Sequence, residues 1–152
     1  MEAGQKFPGF ELPDQNGQAR TLDDLAGPEG LLLYAYPKDD TPGCTVEAKD
    51  FRDLAPRFRE AGFEVAGLSP DGADSHCDFI GKYDLTFPLL SDPERSFMAS
   101  IGAFGEKTLY GKTVEGVIRS TFAVAPDGTV IEAWHNVRAK GHAQRVLDAL
   151  TK

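Results

Sequence analysis

The sequence has little of several features that mark other protein classes. It has two cysteines in 152 residues, too few for a small secreted fold held together by disulfides. Positive charge is also scarce, because 16 lysines and arginines stand against 24 acidic residues and leave a net charge of −8. A protein that binds nucleic acid needs a basic face, and one that binds a membrane surface needs a polybasic segment. We therefore expect neither nucleic acid nor a membrane as a partner.

Long hydrophobic runs are missing too. The most apolar stretch, LLLYAY at 31–36, is far shorter than the roughly 20 residues of a membrane span. The N-terminal MEAGQKFPGF lacks the apolar segment of a secretory signal peptide. We therefore expect a cytoplasmic protein, in which cysteines are more often reduced or catalytic than permanently cross-linked.

The composition that is present favours one packed domain. Hydrophobic residues make up 41% of the chain and charged residues 26%, which is typical of a globular protein with a buried core. A chain of this length fits a single domain over residues 1–152.

The local patterns predict strands alternating with helices. Asn16-Gly17 is a typical hairpin turn, and the run 31–36 suits a strand that is covered on both faces. Apolar residues at helical spacing run from about Cys44 to Gly62, with Pro56 as an expected kink. The further predictions are a strand at 63–68, a short helix carrying Cys77, a helix from Asp92 to Gly102, a hairpin at 120–134 and a helix at 143–150. This order fits an α/β fold of thioredoxin type.

Cys44 stands where the first long helix is predicted to begin, directly after Thr41-Pro42-Gly43. A cysteine in a first helical turn faces unpaired backbone N–H groups and the positive end of the helix dipole. Both favour the thiolate, which is the nucleophilic form. The spacing is equally compatible with an inert cysteine in the core, so both interpretations remain open at this point.

The run from Pro37 to Cys44, PKDDTPGC, resembles the Pro-x-x-x-Thr-x-x-Cys signature of peroxiredoxins. The longer TPGCTVEAKDFRD resembles the bacterioferritin-comigratory-protein branch, also called PrxQ. The likeness continues in FPLLSD, YGKTVEGVIRSTF and the PDG hairpin, so it covers nearly the whole chain. It implies a thioredoxin-like fold with an N-terminal β-hairpin extension. It also implies reduction of hydrogen peroxide and organic hydroperoxides by a cysteine, with neither a cofactor nor a metal.

The resemblance assigns a role to four residues. Cys44 is the nucleophile, Pro37 shields the thiolate from water, Thr41 binds the peroxide and Arg119 activates the site. A threonine hydroxyl can both donate to and accept from a peroxide, and an arginine is always charged with a fork of donors. From the sequence pattern alone, Arg119 would be interpreted as a solvated charge at the end of a strand. For Glu47 two interpretations stay open, because an acidic residue there could orient the arginine or favour the start of the helix.

The oxidised nucleophile, a sulfenic acid, must be reduced again. Many family members carry a resolving cysteine five residues after the nucleophile, but this chain has Lys49 there. A second pattern in the family places that cysteine in the region of Cys77. The resemblance therefore implies an intramolecular disulfide between Cys44 and Cys77, a thioredoxin or similar dithiol as reductant, and a monomer. The alternative is a one-cysteine peroxidase that an external thiol reduces directly.

Other classes find less support. In GEKTLYGKT, Gly105 and Gly111 bracket five residues where a phosphate loop needs four. His76 beside Cys77 does not form a metal set with the scattered histidines 135 and 142, and we expect it to be polar surface. Trp134 could belong to the hydrophobic core or to the rim of the site around Cys44.

Two further classes share the expected fold. A thiol–disulfide oxidoreductase would normally show Cys-x-x-Cys, and Thr41 occupies the position of its first cysteine. A non-catalytic thioredoxin-fold binding module would consume no peroxide.

Overall fold

The computed structural model describes residues 1–152, with the exception of the side chain of Leu109. The helices, in chain order, are α1 (Leu22–Leu25), α2 (Pro42–Glu60), α3 (Ala73–Tyr83), α4 (Ser96–Ser100) and α5 (His142–Leu150). The strands are β1 (Leu12–Pro13), β2 (Ala19–Arg20), β3 (Gly30–Ala35), β4 (Phe63–Ser69), β5 (Leu89–Ser91), β6 (Phe104–Leu109), β7 (Lys112–Val117), β8 (Ser120–Val124) and β9 (Val130–Trp134).

A five-stranded sheet in the order β5-β4-β3-β8-β9 forms the centre of the molecule. Strand β3 runs parallel to β4 and antiparallel to β8, while β4 and β5 are parallel and β8 and β9 antiparallel. The register sets Tyr34 between Gly67 of β4 and Thr121 of β8. The predicted α/β fold of thioredoxin type is confirmed.

The central strand β3 is buried over its whole length, as its apolar run predicts. Successive side chains of a strand point to opposite faces of the sheet, so β3 supplies two separate core layers. Leu32 and Tyr34 belong to the layer that contains Cys44 and Phe51 of α2. Leu31 belongs to the opposite layer, together with side chains of α4 and the N-terminal segment.

The predicted N-terminal hairpin is present as β1 and β2. The carboxylate of Asp14 accepts hydrogen bonds from the backbone N–H groups of Asn16 and Gln18 and from Arg20, which holds the turn closed. Gly17 has φ +76°, a backbone conformation that glycine adopts without strain.

Two helix boundaries differ from the prediction. Helix α2 begins at Pro42, because proline is favoured in a first helical turn, and it continues past Pro56. Helix α4 begins at Ser96 rather than at Asp92, since Arg95 adopts a left-handed conformation with φ +64°. The carboxylate of Asp92 instead accepts the N–H of Met98 at 2.8 Å.

One hairpin was not predicted from the sequence. Strands β6 and β7 pair in antiparallel register and turn at Tyr110-Gly111, both with positive φ. The segment that superficially resembles a phosphate loop lies in this hairpin. None of the helices formed by the described residues is long and apolar enough to cross a membrane.

Candidate active site

Cys44 lies in the first turn of α2, at the third helical residue. Thr41 is the residue that precedes the helix, and its carbonyl accepts the N–H of Thr45 at 2.8 Å. The backbone N–H groups of a first turn have no partner within the helix, and they carry its positive pole. Cys44 is only 1% exposed, so these groups act on a sulfur that is largely shielded from water.

Arg119 reaches this sulfur from the link between β7 and β8. Its Nη2 donates to Cys44 Sγ at 3.4 Å, and its Nη1 donates to Glu47 Oε1 at 2.6 Å. Gly43 leaves room for the guanidinium, since a Cβ at that position would lie 3.3 Å from Nη2. One guanidinium therefore joins the cysteine to a carboxylate one helical turn further along α2.

The position of Glu47 decides between its two interpretations. The side chain is completely buried and contacts Arg119, so it orients the arginine. Burial raises the pKa of Glu47 to about 7, because the loss of hydration outweighs the attraction of the guanidinium. Burial alone would lower the pKa of Arg119. The neighbouring Glu47 and Cys44 raise this pKa by more than burial lowers it, so the arginine remains charged.

Thr41 and Pro37 lie in the loop that leads into α2. The Thr41 hydroxyl donates to the carbonyl of Lys38 at 2.9 Å, which leaves the lone pairs of its oxygen to accept a bond. Pro37 is half-buried and has no N–H to attract water. The structure thus places both residues in the loop that precedes the first turn of the Cys44 helix.

Cys77 lies elsewhere. It is exposed on α3, and its Sγ donates to the carbonyl of Gln15 in the N-terminal hairpin at 3.0 Å. Both thiols are free, with Cys44 in the core layer beside α2 and Cys77 at the surface.

The prediction that His76 is polar surface is wrong. The ring is 0% exposed, with Nδ1 2.7 Å from Asp39 Oδ2 and Nε2 3.0 Å from the carbonyl oxygen of Leu90. Helix α3 turns His76 and Phe79 toward the core and leaves Cys77 at the surface. The i, i+3 spacing of His76 and Phe79 was the signal that could have shown this face.

Asp39 is a site residue that the sequence alone did not indicate. It is buried, and its carboxylate accepts hydrogen bonds from the Tyr36 hydroxyl and, at 2.8 Å, from Ser75 Oγ. Its own N–H donates to Asp71 Oδ2 at 2.7 Å. These bonds fix the backbone two residues before Thr41.

Trp134 on β9 is partly buried and packs against the core layer that contains Cys44. Its ring lies edge-on to the ring of His142, with 6.4 Å between centroids. Burial, assisted by Arg145 and Arg119, lowers the pKa of His142 to about 4, so this imidazole is neutral. Among the described residues, no group of histidine, cysteine and acidic side chains is arranged to hold a metal ion.

Comparisons with known proteins indicate the family to which the chain belongs. The family model described as AhpC/TSA matches residues 3–133. A putative peroxiredoxin of Mycobacterium tuberculosis is 48% identical over 146 residues, which cover 96% of this chain and 92% of the relative. The peroxiredoxin Bcp of Xanthomonas campestris is 44% identical, over 93% of this chain and 89% of its own.

Solved structures give the same result. The bacterioferritin comigratory protein of Xanthomonas campestris superposes with a TM-score of 0.84 at 42% identity, over 93% of this chain and 89% of that chain. A cysteine-to-serine mutant of PrxQ from Xylella fastidiosa gives a TM-score of 0.88 at 36% identity, over 99% and 95%. The chain therefore belongs to the AhpC/TSA family and, within it, groups with the Bcp/PrxQ peroxiredoxins.

Proposed function

We propose that the protein is a thiol-dependent peroxidase that reduces hydrogen peroxide and organic hydroperoxides through Cys44. The observation that carries the proposal is the guanidinium of Arg119, which contacts the sulfur of Cys44 while Glu47 holds it in place. The bacterioferritin comigratory protein of Xanthomonas campestris, which has alkyl peroxide reduction activity, supports the assignment.

In the proposed reaction the Cys44 thiolate attacks the terminal oxygen of the peroxide. The S–O bond forms as the O–O bond breaks, and the departing oxygen takes up a proton and leaves as an alcohol or water. Cys44 becomes a sulfenic acid, oxidised by two electrons. The buried sulfur lies in the first turn of α2, with Thr41 before it to bind the peroxide and Pro37 to limit access of water.

Ionisation of the thiol accounts for only part of such catalysis. An ordinary thiol is a few per cent ionised near pH 7, so complete ionisation gains only about one to two powers of ten in rate. The remainder must come from donors that stabilise charge on the departing oxygen. Arg119 and the unpaired N–H groups of the first turn of α2 are suited to this role. The Thr41 hydroxyl, whose hydrogen is bound to the carbonyl of Lys38, can accept a hydrogen bond from the peroxide.

We infer that Cys77 resolves the sulfenic acid within one chain. The thiol of Cys77 attacks the sulfur of Cys44, which forms a disulfide and releases water. A thioredoxin-like dithiol then supplies the two electrons that restore both thiols. A buried Cys44 and an exposed Cys77 require a local rearrangement for this step. We further propose that residues 1–152 act as one monomeric domain in the cytoplasm.

Stopped-flow measurement of peroxide loss tests the proposal. Reduced protein should consume one equivalent of hydrogen peroxide rapidly, and Cys44→Ser should abolish this consumption while the circular dichroism spectrum stays native. Cys77→Ser should still consume the first equivalent. Peroxide loss that persists in Cys44→Ser contradicts the assignment. No consumption by the wild-type protein would favour a disulfide oxidoreductase or a binding module.

A further inference from the structure

Helix α3 is tied at its first turn to the loop that carries Thr41. The Asp39 carboxylate in this loop is 2.8 Å from Ser75 Oγ and 2.7 Å from His76 Nδ1, both of α3. All of His76 and nearly all of the Asp39 side chain are buried. Since a buried charge or ring nitrogen is costly to leave without a partner, opening this turn of α3 means breaking a strong set of contacts.

The last turn of α3 is tied to the same loop through the next residue. Asp40 Oδ1 accepts the hydroxyl of Tyr83 at 2.8 Å, and Asp40 Oδ2 accepts Lys82 Nζ, also at 2.8 Å. Asp40 reaches these partners with a left-handed backbone, φ +57°. Two successive aspartates thus hold the two ends of one helix.

Cys77 lies between these two attachments. Without them α3 would be a weak helix, because it has 11 residues, contains Gly81, and is preceded by Gly72, which has no side chain to cap it. Together with the burial of Phe79 in the core, the loop contacts therefore keep Cys77 on a folded helix.

We propose that Asp39 and Asp40 are positioning residues that clamp α3 and so limit the rate at which Cys77 reaches the sulfenic acid of Cys44. The inference rests on the proposed function, in which Cys77 resolves Cys44. A slow resolving step prolongs the life of the sulfenic acid. A second peroxide can then convert it to the sulfinic acid, with release of an alcohol or water. The clamp sets the balance between these two outcomes.

Two mild variants test each end of the clamp. Ser75→Ala removes the hydroxyl that binds Asp39, and Tyr83→Phe removes the one that binds Asp40 while it keeps the ring. One net hydrogen bond corresponds to a factor of about five, so Ser75→Ala should form the Cys44–Cys77 disulfide about fivefold faster. Tyr83→Phe breaks a solvent-exposed contact and should accelerate the same step by a smaller factor. The double variant should be faster than either single variant if both contacts hold the same helix. Each should also need more peroxide to reach the sulfinic acid.

Matched controls separate the clamp from general loosening. Ser75→Thr keeps the hydroxyl and should restore the wild-type rate. Asp78 is exposed on α3 and, within the described part of the chain, has no hydrogen bond to the loop, so Asp78→Asn should change nothing. Urea unfolding should show small losses of stability, while hydrogen exchange should accelerate specifically in 73–83.

Rapid-quench oxidation with one equivalent of hydrogen peroxide, thiol alkylation and mass spectrometry gives the rates of both steps. A faster disulfide step at an unchanged rate of Cys44 oxidation supports the clamp. If the wild-type protein forms the disulfide and the variants form it at the wild-type rate, the clamp is wrong and the proposed function stands. If the wild-type protein consumes peroxide but forms no Cys44–Cys77 disulfide, both the clamp and the resolving role of Cys77 are wrong.

Discussion

Arg119 Nη2 lies 3.4 Å from Cys44 Sγ, although 75 positions separate the two residues in the chain. The other half of the guanidinium is bound to Glu47, so the arginine cannot turn away without breaking a buried ion pair. This arrangement aims a fixed positive charge at the sulfur and at any oxygen atom that is transferred to it. Such preorganised charge is most effective where charge develops during a reaction.

Arg119→Met should slow oxidation of Cys44 by a factor of about 10²–10³, the range seen when one preorganised donor is removed. The deficit should persist at pH 10, where an ordinary thiol is ionised, because in the proposed mechanism the arginine stabilises charge on the departing oxygen. Stopped-flow rates at pH 7 and pH 10 check this. If the variant recovers the wild-type rate at pH 10, Arg119 only promotes ionisation of the thiol.

Glu47→Gln should change how stability depends on pH. Burial raises the pKa of Glu47 from 4.5 to about 7, so the folded state holds this proton more tightly than the unfolded chain does. The contribution to stability is therefore complete below about pH 4.5 and is lost as the pH rises through 7. The loss amounts to about 3 kcal/mol at 1.36 kcal/mol per pH unit.

Urea unfolding at pH 5 and pH 7.5 tests this dependence. The wild-type free energy of unfolding should fall relative to that of Glu47→Gln between the two pH values. Glu60→Gln, at the exposed end of α2, serves as the control and should follow the wild-type profile. Parallel curves for wild type and Glu47→Gln would show that the carboxylate is ionised throughout this range.

Treatment with one equivalent of hydrogen peroxide should give a monomer without free thiols. A disulfide requires Cα atoms within about 7 Å, and Cys77 is exposed on a different helix from the buried Cys44. We therefore expect hydrogen exchange in 74–83 to rise on oxidation, and a non-reducing digest to contain a Cys44–Cys77 peptide. A dimer linked between chains, or a stable sulfenic acid beside a free Cys77, would contradict the intramolecular step.

Gly81→Ala should slow the resolving step. A Cβ at position 81 would meet no atom within 4 Å, and alanine favours a helix over glycine by about 1 kcal/mol. Helix α3 should therefore open less often, and the Cys44–Cys77 disulfide should form about fivefold more slowly. Gly9→Ala, also in open space but outside any helix or strand, is the control. An unchanged rate would mean that α3 need not unfold.

Local patterns in the sequence were sufficient to predict much of the fold. The continuous apolar run predicts β3, Asn16-Gly17 predicts the first hairpin, and the spacing of Ala48, Phe51 and Phe58 predicts α2. The β6–β7 hairpin was not predicted from the sequence, because Tyr110-Gly111 is not a typical turn pair. Helix α4 was predicted to begin at Asp92, whose carboxylate instead reaches forward to the N–H of Met98.

The residues of the candidate site were likewise predicted only in part from the sequence. The family signature predicted Cys44, Thr41 and Arg119, and the structure brings the arginine to the sulfur. The burial of His76 depends on a rotation of α3 by about one residue, which a short helix with apolar residues on more than one side does not specify. The partnership of His76 with Asp39 joins residues 37 positions apart, and contacts of this kind have no local signal.

Trp134 gives the chain an optical signal of its own. It is the single tryptophan of the sequence, and its ring packs against the core layer that includes Cys44 and against the neutral imidazole of His142. His142 also lies edge-on to Phe51 of α2, with 6.2 Å between centroids, so a movement of α2 during oxidation that shifts this packing would change the surroundings of that indole. The emission of the unlabelled protein should therefore follow each redox step in real time.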